Sequence, residues 1–171
     1  WALFGQAEYA LTDNISFIGG VRYTDEEKDL LQSNNFAAPA FVDNEEINTD
    51  NVTWKAGLDW RPLEDTLLYF NVSKGFKSGA FKTSFAGPGA GRPVAEETLI
   101  AYEGGVKTDL FDNRLRLNAS IFYSDYEDMQ AVSVAAIGGV PVATLVNVGD
   151  VDIVGMEIEA TASVTDNLEV V

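Results

Sequence analysis

The chain contains no cysteine and no histidine. The first absence removes any disulfide framework and any thiolate metal site. The second removes triads with a histidine base, imidazole zinc ligands and imidazole proton shuttles, and most familiar enzyme chemistries go with them. Positive charge is scarce too: 11 basic residues face 27 acidic ones, for a net charge of −16 and a pI near 4.1. That balance argues against nucleic acid, whose binders offer a basic patch to the phosphates. No run of eighteen apolar residues occurs, so no transmembrane helix is encoded. The opening WALFGQAEY has no basic region and no cleavage site of a secretory signal, and reads as the inside of a strand.

What is present is alternation. In LFDNRLRLNASIFY (110–123), Leu115, Leu117, Ala119, Ile121 and Tyr123 fall on one side and Arg114, Arg116, Asn118 and Ser120 on the other, with Phe122 dissenting. Period two places side chains on opposite faces of a strand. Segments of this kind predict strands at about 1–11, 15–24, 51–61, 66–76, 97–108, 114–130, 143–163 and 168–171, and none shows a helical period. Short connections rich in Asp, Asn or Pro (TDN at 12–14, PLED at 62–65, LFDN at 110–113, TDN at 165–167) favour tight turns. They alternate with longer connections: the polar excursions 25–50 and 77–96, and a third around GGVP at 138–141. The expected fold is all-β, an antiparallel up-and-down meander of about eight strands with one plain and one elaborated end.

Sorting the strands by face gives an apolar side that runs from Trp1, Leu3 and Tyr9 through Phe17, Trp54, Leu58 and Phe70 to Met156 and Ile158. The other side carries Arg22, Lys55, Asn71, Glu103, Arg114, Arg116, Glu157 and Glu159. Lys74 is the one charge expected on the apolar side, at the elaborated end, where it can snorkel. A soluble sheet with one watered face fits this pattern. A membrane barrel, apolar toward lipid and polar toward a wet lumen, fits it better. The apolar segments run about nine to ten residues, the length that crosses a bilayer at a tilt. Aromatics cluster at the strand ends: Trp1, Tyr23, Tyr102 and Tyr123 at the elaborated end, Tyr9 and Trp60 beside the short turns. Such girdles mark the two membrane interfaces. The second list of residues is therefore expected to line a lumen.

No catalytic residue, cofactor site or metal site is expected. Glu157 and Glu159 are neighbours on one strand and do not flank a bond as glycosidase carboxylates do. Arg114 and Arg116 follow a short turn, far from the outer end, and are expected to pair with lumen acids such as Glu103. The acidic stretch 42–51 lacks the spacing and glycine of a calcium loop, and AGPGAGRP (86–93) is not a phosphate loop. The loop 77–96 is the candidate ligand surface. It brings Lys77, Phe81, Lys82, Phe85 and Arg92 together in a chain poor in cations, a combination suited to an anionic aromatic ligand.

Four segments resemble TonB-dependent outer-membrane receptors. FGQAEYALTDNISFIGGVRYTDEEK (4–28) resembles the paired strands ending in a Gly-x-Arg-Tyr element. LLYFNVSKGFKSGAF (67–81) resembles the strand and loop entry Y-x-x-x-S-x-G-F-[KR]-x-G-x-F. YEGGVKTDLFDNRLRLNASIFYSDYEDMQ (102–130) is similar to the family's YE-x-G-x-K strand, F-D-[NG]-R-L turn and FY-x-x-Y-x-D-[ML]-Q continuation, and NVGDVDIVGMEIEATA (147–162) to its return strand. The resemblance implies that residues 1–171 are part of a large transmembrane β-barrel of about 22 strands around a plug, with plug and TonB-contacting segment outside this chain. It further implies an active importer in the Gram-negative outer membrane, taking a scarce ligand, most commonly a ferric siderophore, with energy passed through the TonB complex. Outer-membrane lipid and lipopolysaccharide would surround it. The other readings of the pattern are a small outer-membrane anchor or adhesin barrel and a soluble β-sandwich binding module such as a lectin.

Overall fold

The computed structural model describes residues 1–34, 41–82, 93–137, 140–165 and 167–171. Among the described residues twelve strands follow one another: β1 (Ala2–Thr12), β2 (Ile15–Asn34), β3 (Phe41–Leu63), β4 (Thr66–Lys77), β5 (Ala80–Phe81), β6 (Pro93–Val94), β7 (Glu97–Leu110), β8 (Leu115–Glu127), β9 (Gln130–Ile137), β10 (Val140–Asn147), β11 (Val151–Thr165) and β12 (Leu168–Val170). Eight of them form one antiparallel sheet in the order β1-β2-β3-β4-β7-β8-β11-β12, while β5–β6 and β9–β10 are separate hairpins. The meander is thus consecutive, and the elements set aside belong to the elaborated end.

The register unites the apolar residues on one face. Reading across, Tyr9 pairs with Phe17, Phe17 with Leu58, Leu58 with Phe70, Phe70 with Gly104, Gly104 with Ile121 and Ile121 with Met156. This face is open. Leu3 is 73% exposed, Ile121 69% and Met156 73%, and no second sheet packs on it among the described residues. A β-sandwich hides such a face behind a second sheet about 10 Å away; here the face is left for a non-aqueous solvent.

Register also supplies a measure that periodicity cannot. Tyr102 is level with Val72, Ala56 and Gly19, four residues turnward of Tyr23. At the other end, Ile15 is level with Trp60, Leu68 and Val106, which lies four residues before the turn residue Leu110. Girdle and turns therefore step together, by four residues over three strand-to-strand intervals. With ~3.3 Å per residue and ~4.8 Å per interval, that stagger tilts the strands by about 40°, within the range of membrane barrels. Each apolar band, 15–23, 102–110 or 115–123, is nine residues long from turn to aromatic. Projected through that tilt it spans about 20 Å between backbone levels, close to the ~25 Å apolar belt of outer-membrane barrels once the girdle rings are added. Trp1 and Tyr23 stack at 5.2 Å between ring centroids and Tyr102 and Tyr123 at 6.0 Å, one pair at each level of the stepped girdle.

Three boundaries differ from the sequence expectation. The polar stretch 25–50 continues as the paired extension of β2 and β3, whose ladder runs from Ile15↔Trp60 to Asn34↔Phe41. Above the girdle both faces meet water, so the alternation that marks a strand disappears although the backbone ladder persists. The expected strands 114–130 and 143–163 each break in two. Asp128 (φ 53°) and Gly149 (φ 93°) adopt left-handed backbone conformations, Met129 N–H donates to Gly149 O at 3.0 Å and Val148 N–H to Met129 O at 2.8 Å. This neck lets the β9–β10 hairpin leave the main sheet. Lys74 is also not the one charge on the apolar face: its row runs Trp54–Lys74–Ile100–Asp125–Asp152. At β8 and β11 that row lies outward of Tyr123, at headgroup level, where charge is tolerated.

Candidate functional site

The polar face is assembled by the same register. Asn71 and Glu103 share one row with Phe122 and Gly155; Tyr69 shares the next with Gly105, Ser120 and Glu157; Lys107, Asn118 and Glu159 form a third. Its side chains bond across strands. Tyr69 O–H donates to Glu103 Oε1 at 2.6 Å, Asn118 Nδ2 to Glu159 Oε2 at 3.1 Å, and the Lys107 ammonium lies 5.6 Å from the Tyr69 ring centroid. Arg116 Nε pairs with Asp109 Oδ1 at 2.8 Å, so the expected arginine–Glu103 contact is replaced by a pair with another acid of the same face, three rows nearer the turn. Arg114 stands in the turn itself, where Phe111, Asp112 and Asn113 are all left-handed. Its N–H donates to Phe111 O at 3.2 Å and its carbonyl accepts from Ser163 N–H at 2.8 Å.

Phe122 ceases to be an anomaly. Its ring covers Gly155 directly opposite, with Cε2 3.0 Å from where a Cβ at 155 would stand. Tyr69 covers Gly105 and Asn71 covers Gly57 in the same directly opposed way. A large side chain laid over a cross-strand glycine restores the packing the glycine lacks and pins the register.

Toward the outer end this face holds two cations without an acidic partner among the described residues. Arg22 Nε donates to Thr24 Oγ1 at 3.1 Å and its guanidinium sits 5.9 Å from the Phe4 ring centroid. Lys55 shares a row with Gln6, Gly20 and Ser73. Among the described residues the ion pairs are Lys28–Glu26 and Arg116–Asp109, and neither involves Arg22 or Lys55. Phe4, Gln6, Arg22, Lys55 and Ser73 border a shallow hollow of about 320 Å³.

Above it lies a clamp that sequence reasoning missed. Both described ends of the 77–96 loop are held by side chains from neighbouring strands. Lys28 Nζ donates to Ser78 Oγ and to Gly79 O (3.1 Å). Asn51 Nδ2 donates to Glu96 at 3.3 and 3.4 Å. Gln130, 6% exposed, donates through Nε2 to Ser78 O (3.1 Å) and Ala95 O (2.9 Å), while its own N–H reaches Glu97 Oε2 at 2.6 Å. Asn147, its register partner, accepts from Ala95 N–H at 2.9 Å and donates to Ala95 O and Asp128 O. Val94, 4% exposed, is the buried apolar residue beside them. The Ser78 hydroxyl above all, with Lys28 helping, holds the Glu26 carboxyl below its usual value against an opposing desolvation. The available signal was the pair of polar residues closing the YEDMQ and opening the NVGD motifs.

Of the loop candidates, Lys77 is exposed and opposite Glu97, Phe81 pairs with Pro93 in the β5–β6 hairpin, and Lys82 follows it half-buried. Phe85 and Arg92 lie outside the described residues. The clamp thus holds Ser78 and Gly79, just ahead of Phe81 and Lys82, beside the β2–β3 extension, while Arg22 and Lys55 stand lower on the wall. Trp1, Tyr9, Tyr23, Trp60, Tyr102 and Tyr123 are all on the apolar face, on strands whose register has been given.

The model of the family described as TonB dependent receptor-like, beta-barrel matches residues 1–169. The pesticin receptor of Yersinia pestis is 29% identical over 162 residues, covering 93% of this chain and 23% of that protein. The crystal structure of the ferric yersiniabactin uptake receptor of the same organism superposes with a TM-score of 0.80 at 25% identity, covering 96% of this chain and 24% of the other. The siderophore receptor PiuA of Acinetobacter baumannii shares the fold, with a TM-score of 0.72 at 21% identity over 96% of this chain and 23% of its own. The chain spans about a quarter of the length of these relatives. Tilted strands, a stepped aromatic girdle, an open apolar face and a clamped outer loop agree with that match: the chain belongs to the TonB-dependent receptor β-barrel family, receptors rather than enzymes of the Gram-negative outer membrane.

Proposed function

We propose that this chain is the barrel wall of an active importer that takes up an anionic ferric siderophore with energy passed through the TonB complex. The observation that carries the reading is the pair of unpaired cations, Arg22 and Lys55, on the lumen wall beneath a clamped loop, in a chain of net charge −16. A wall so acidic repels anions except where cations lack a carboxylate to neutralise them. Lys77, Phe81 and Lys82, with Phe85 and Arg92 from the same loop, contact the ligand as it enters; lipopolysaccharide and lipid surround the apolar face. Relatives described as siderophore and ferric yersiniabactin receptors support the ligand class.

The test is accumulation of radiolabelled ferric siderophores by cells deleted for the full-length gene and complemented with it. Uptake restored by the gene and abolished when TonB is also deleted is the expected result. Accumulation that does not depend on the gene, or that persists without TonB, overturns the reading.

A further inference from the structure

The side chains that the described residues bury are Thr49, Asn51, Val94 and Gln130, and all four stand at or beside the loop clamp. Two of them carry an acceptor that the clamp does not use. Asn51, 8% exposed, has no hydrogen-bond partner for Oδ1 among the described residues, and Gln130 has none for Oε1. Turning either amide over gives no relief. Gln130 Nε2 lies between the carbonyls of Ser78 and Ala95, and Asn51 Nδ2 lies against the Glu96 carboxylate. Nitrogen is the one amide atom that fits those places. Native folds keep few buried polar atoms unmet, and those they keep point to an ion or water held there.

Both amides grip the same join between the two loop ends. A Cβ at Gly79 would stand 2.8 Å from Val94 O, and Ala80 pairs with Val94, so Ser78 and Ala95 lie side by side. Gln130 reaches this join from the β8 side and Asn51 from β3. Two carboxylates stand at it: Glu96, facing Asn51 Nδ2, and Glu97, whose Oε2 accepts from Gln130 N–H at 2.6 Å. Neither belongs to an ion pair among the described residues. Lys28 is engaged by Glu26, Ser78 and Gly79, and Lys77, opposite Glu97, is exposed. A water donating to the amide oxygens would leave both carboxylates unneutralised. A cation answers oxygens and charge together. Amide and carboxylate oxygens are hard ligands, and calcium accepts about six to eight of them in irregular arrays, whereas magnesium demands a near-ideal octahedron.

We infer that the join between the loop ends holds one calcium ion through Asn51 Oδ1, Gln130 Oε1 and the Glu96 carboxylate, with Glu97 adding charge beside it. The ion fastens the 77–96 loop to the barrel wall, with an affinity on the order of 10⁻⁴ to 10⁻³ M, that of extracellular calcium modules. The inference concerns how the loop is held, so its readout is amide exchange and stays independent of what the receptor imports. Exchange of residues 93–97 is followed by mass spectrometry on the full-length receptor in mild detergent, in chelator, in millimolar calcium and in millimolar magnesium. Calcium is expected to slow exchange at least threefold and magnesium to leave it near the chelator value. Asn51→Asp replaces the Glu96 donor by a second carboxylate, so it loosens the loop ends in chelator. With calcium it gains a charged ligand, and its calcium midpoint is expected to fall at least threefold. Glu96→Gln keeps an acceptor for Asn51 Nδ2 but removes one charge, and is expected to raise the midpoint at least threefold. Glu27→Gln, on the exposed outer side of β2, is the control and keeps the wild-type midpoint. Equal exchange in calcium and chelator, equal protection by magnesium, loosening of Asn51→Asp at every calcium level, or a control shift matching that of Glu96→Gln each overturns the inference.

Discussion

On one side of β8, Ala119 and Ile121 stand among Val106, Gly104, Ile158 and Met156, and among the described residues the side-chain hydrogen bonds of this face lie at its margins, Thr66 with Thr108 at the turn and Tyr123 to Asp152 at the girdle. On the other side, Asn118 bonds Glu159, Arg116 bonds Asp109 and Phe122 covers Gly155. The strands are the same, and so is the ladder that satisfies their backbones. What differs is the solvent each face was built for. Lipid offers no partner to a polar atom, so that face has none to satisfy. The lumen face meets water and other polar chain, so its side chains settle into cross-strand pairs and glycine covers.

The contrast is broken most severely by charge in the middle of the band. Leu58→Arg is expected to cost about 2–4 kcal/mol near the midplane, read as a lowered urea midpoint for folding of the full-length protein into bilayers. The same change on the lumen side, Asn71→Arg, should cost far less, and equal costs would refute the assignment of faces. A smaller effect is expected from Gly155→Val, which drives a side chain into the Phe122 ring. Overpacking of this kind costs about 1–3 kcal/mol, and adding Phe122→Ala should recover most of it in a double-mutant cycle.

The outer end sharpens the comparison, because there polar side chains are buried rather than lining a wet wall. Gln130→Ala leaves Ser78 O without its donor and Ala95 O with Asn147 Nδ2 alone, a loss of about 1–3 kcal/mol where no water replaces the amide. Amide exchange of residues 93–97 should accelerate while the barrel strands keep their protection. The mildest effect is expected from pH. The Glu26 carboxyl is held low in the folded protein, chiefly by Ser78. Its contribution is therefore complete above the usual carboxylate range, near pH 4.3, and fades as pH falls through the depressed native value. Protease nicking at the 77–82 end of the loop should rise on acidification, and Glu26→Gln should flatten that dependence.

Periodicity made the spanning part legible because lipid and lumen impose opposite demands on alternate residues, as β8 illustrates from Leu115 to Tyr123. Where both faces meet water the demand vanishes, and the β2–β3 extension passed for a polar loop although its ladder is unbroken to Asn34↔Phe41. Asp125 and Asp152 were overlooked on the apolar side for a related reason: the girdle steps by four residues between β2 and β7, so a charge at one height on β2 is at another on β8. The motifs that contain Gln130 and Asn147 give no sign of their role, since the loop backbone these residues hold lies 35 to 52 residues away in sequence.

The sequence by itself determined the all-β meander, the apolar and polar faces, the short turns at one end and the family, because each rests on local alternation, turn chemistry or contiguous motifs. Only the tertiary structure decided the tilt, the stepped girdle, the glycine covers and the clamp on the loop. Each of those depends on which residue stands opposite which, and register between strands is a long-range property that no single strand encodes.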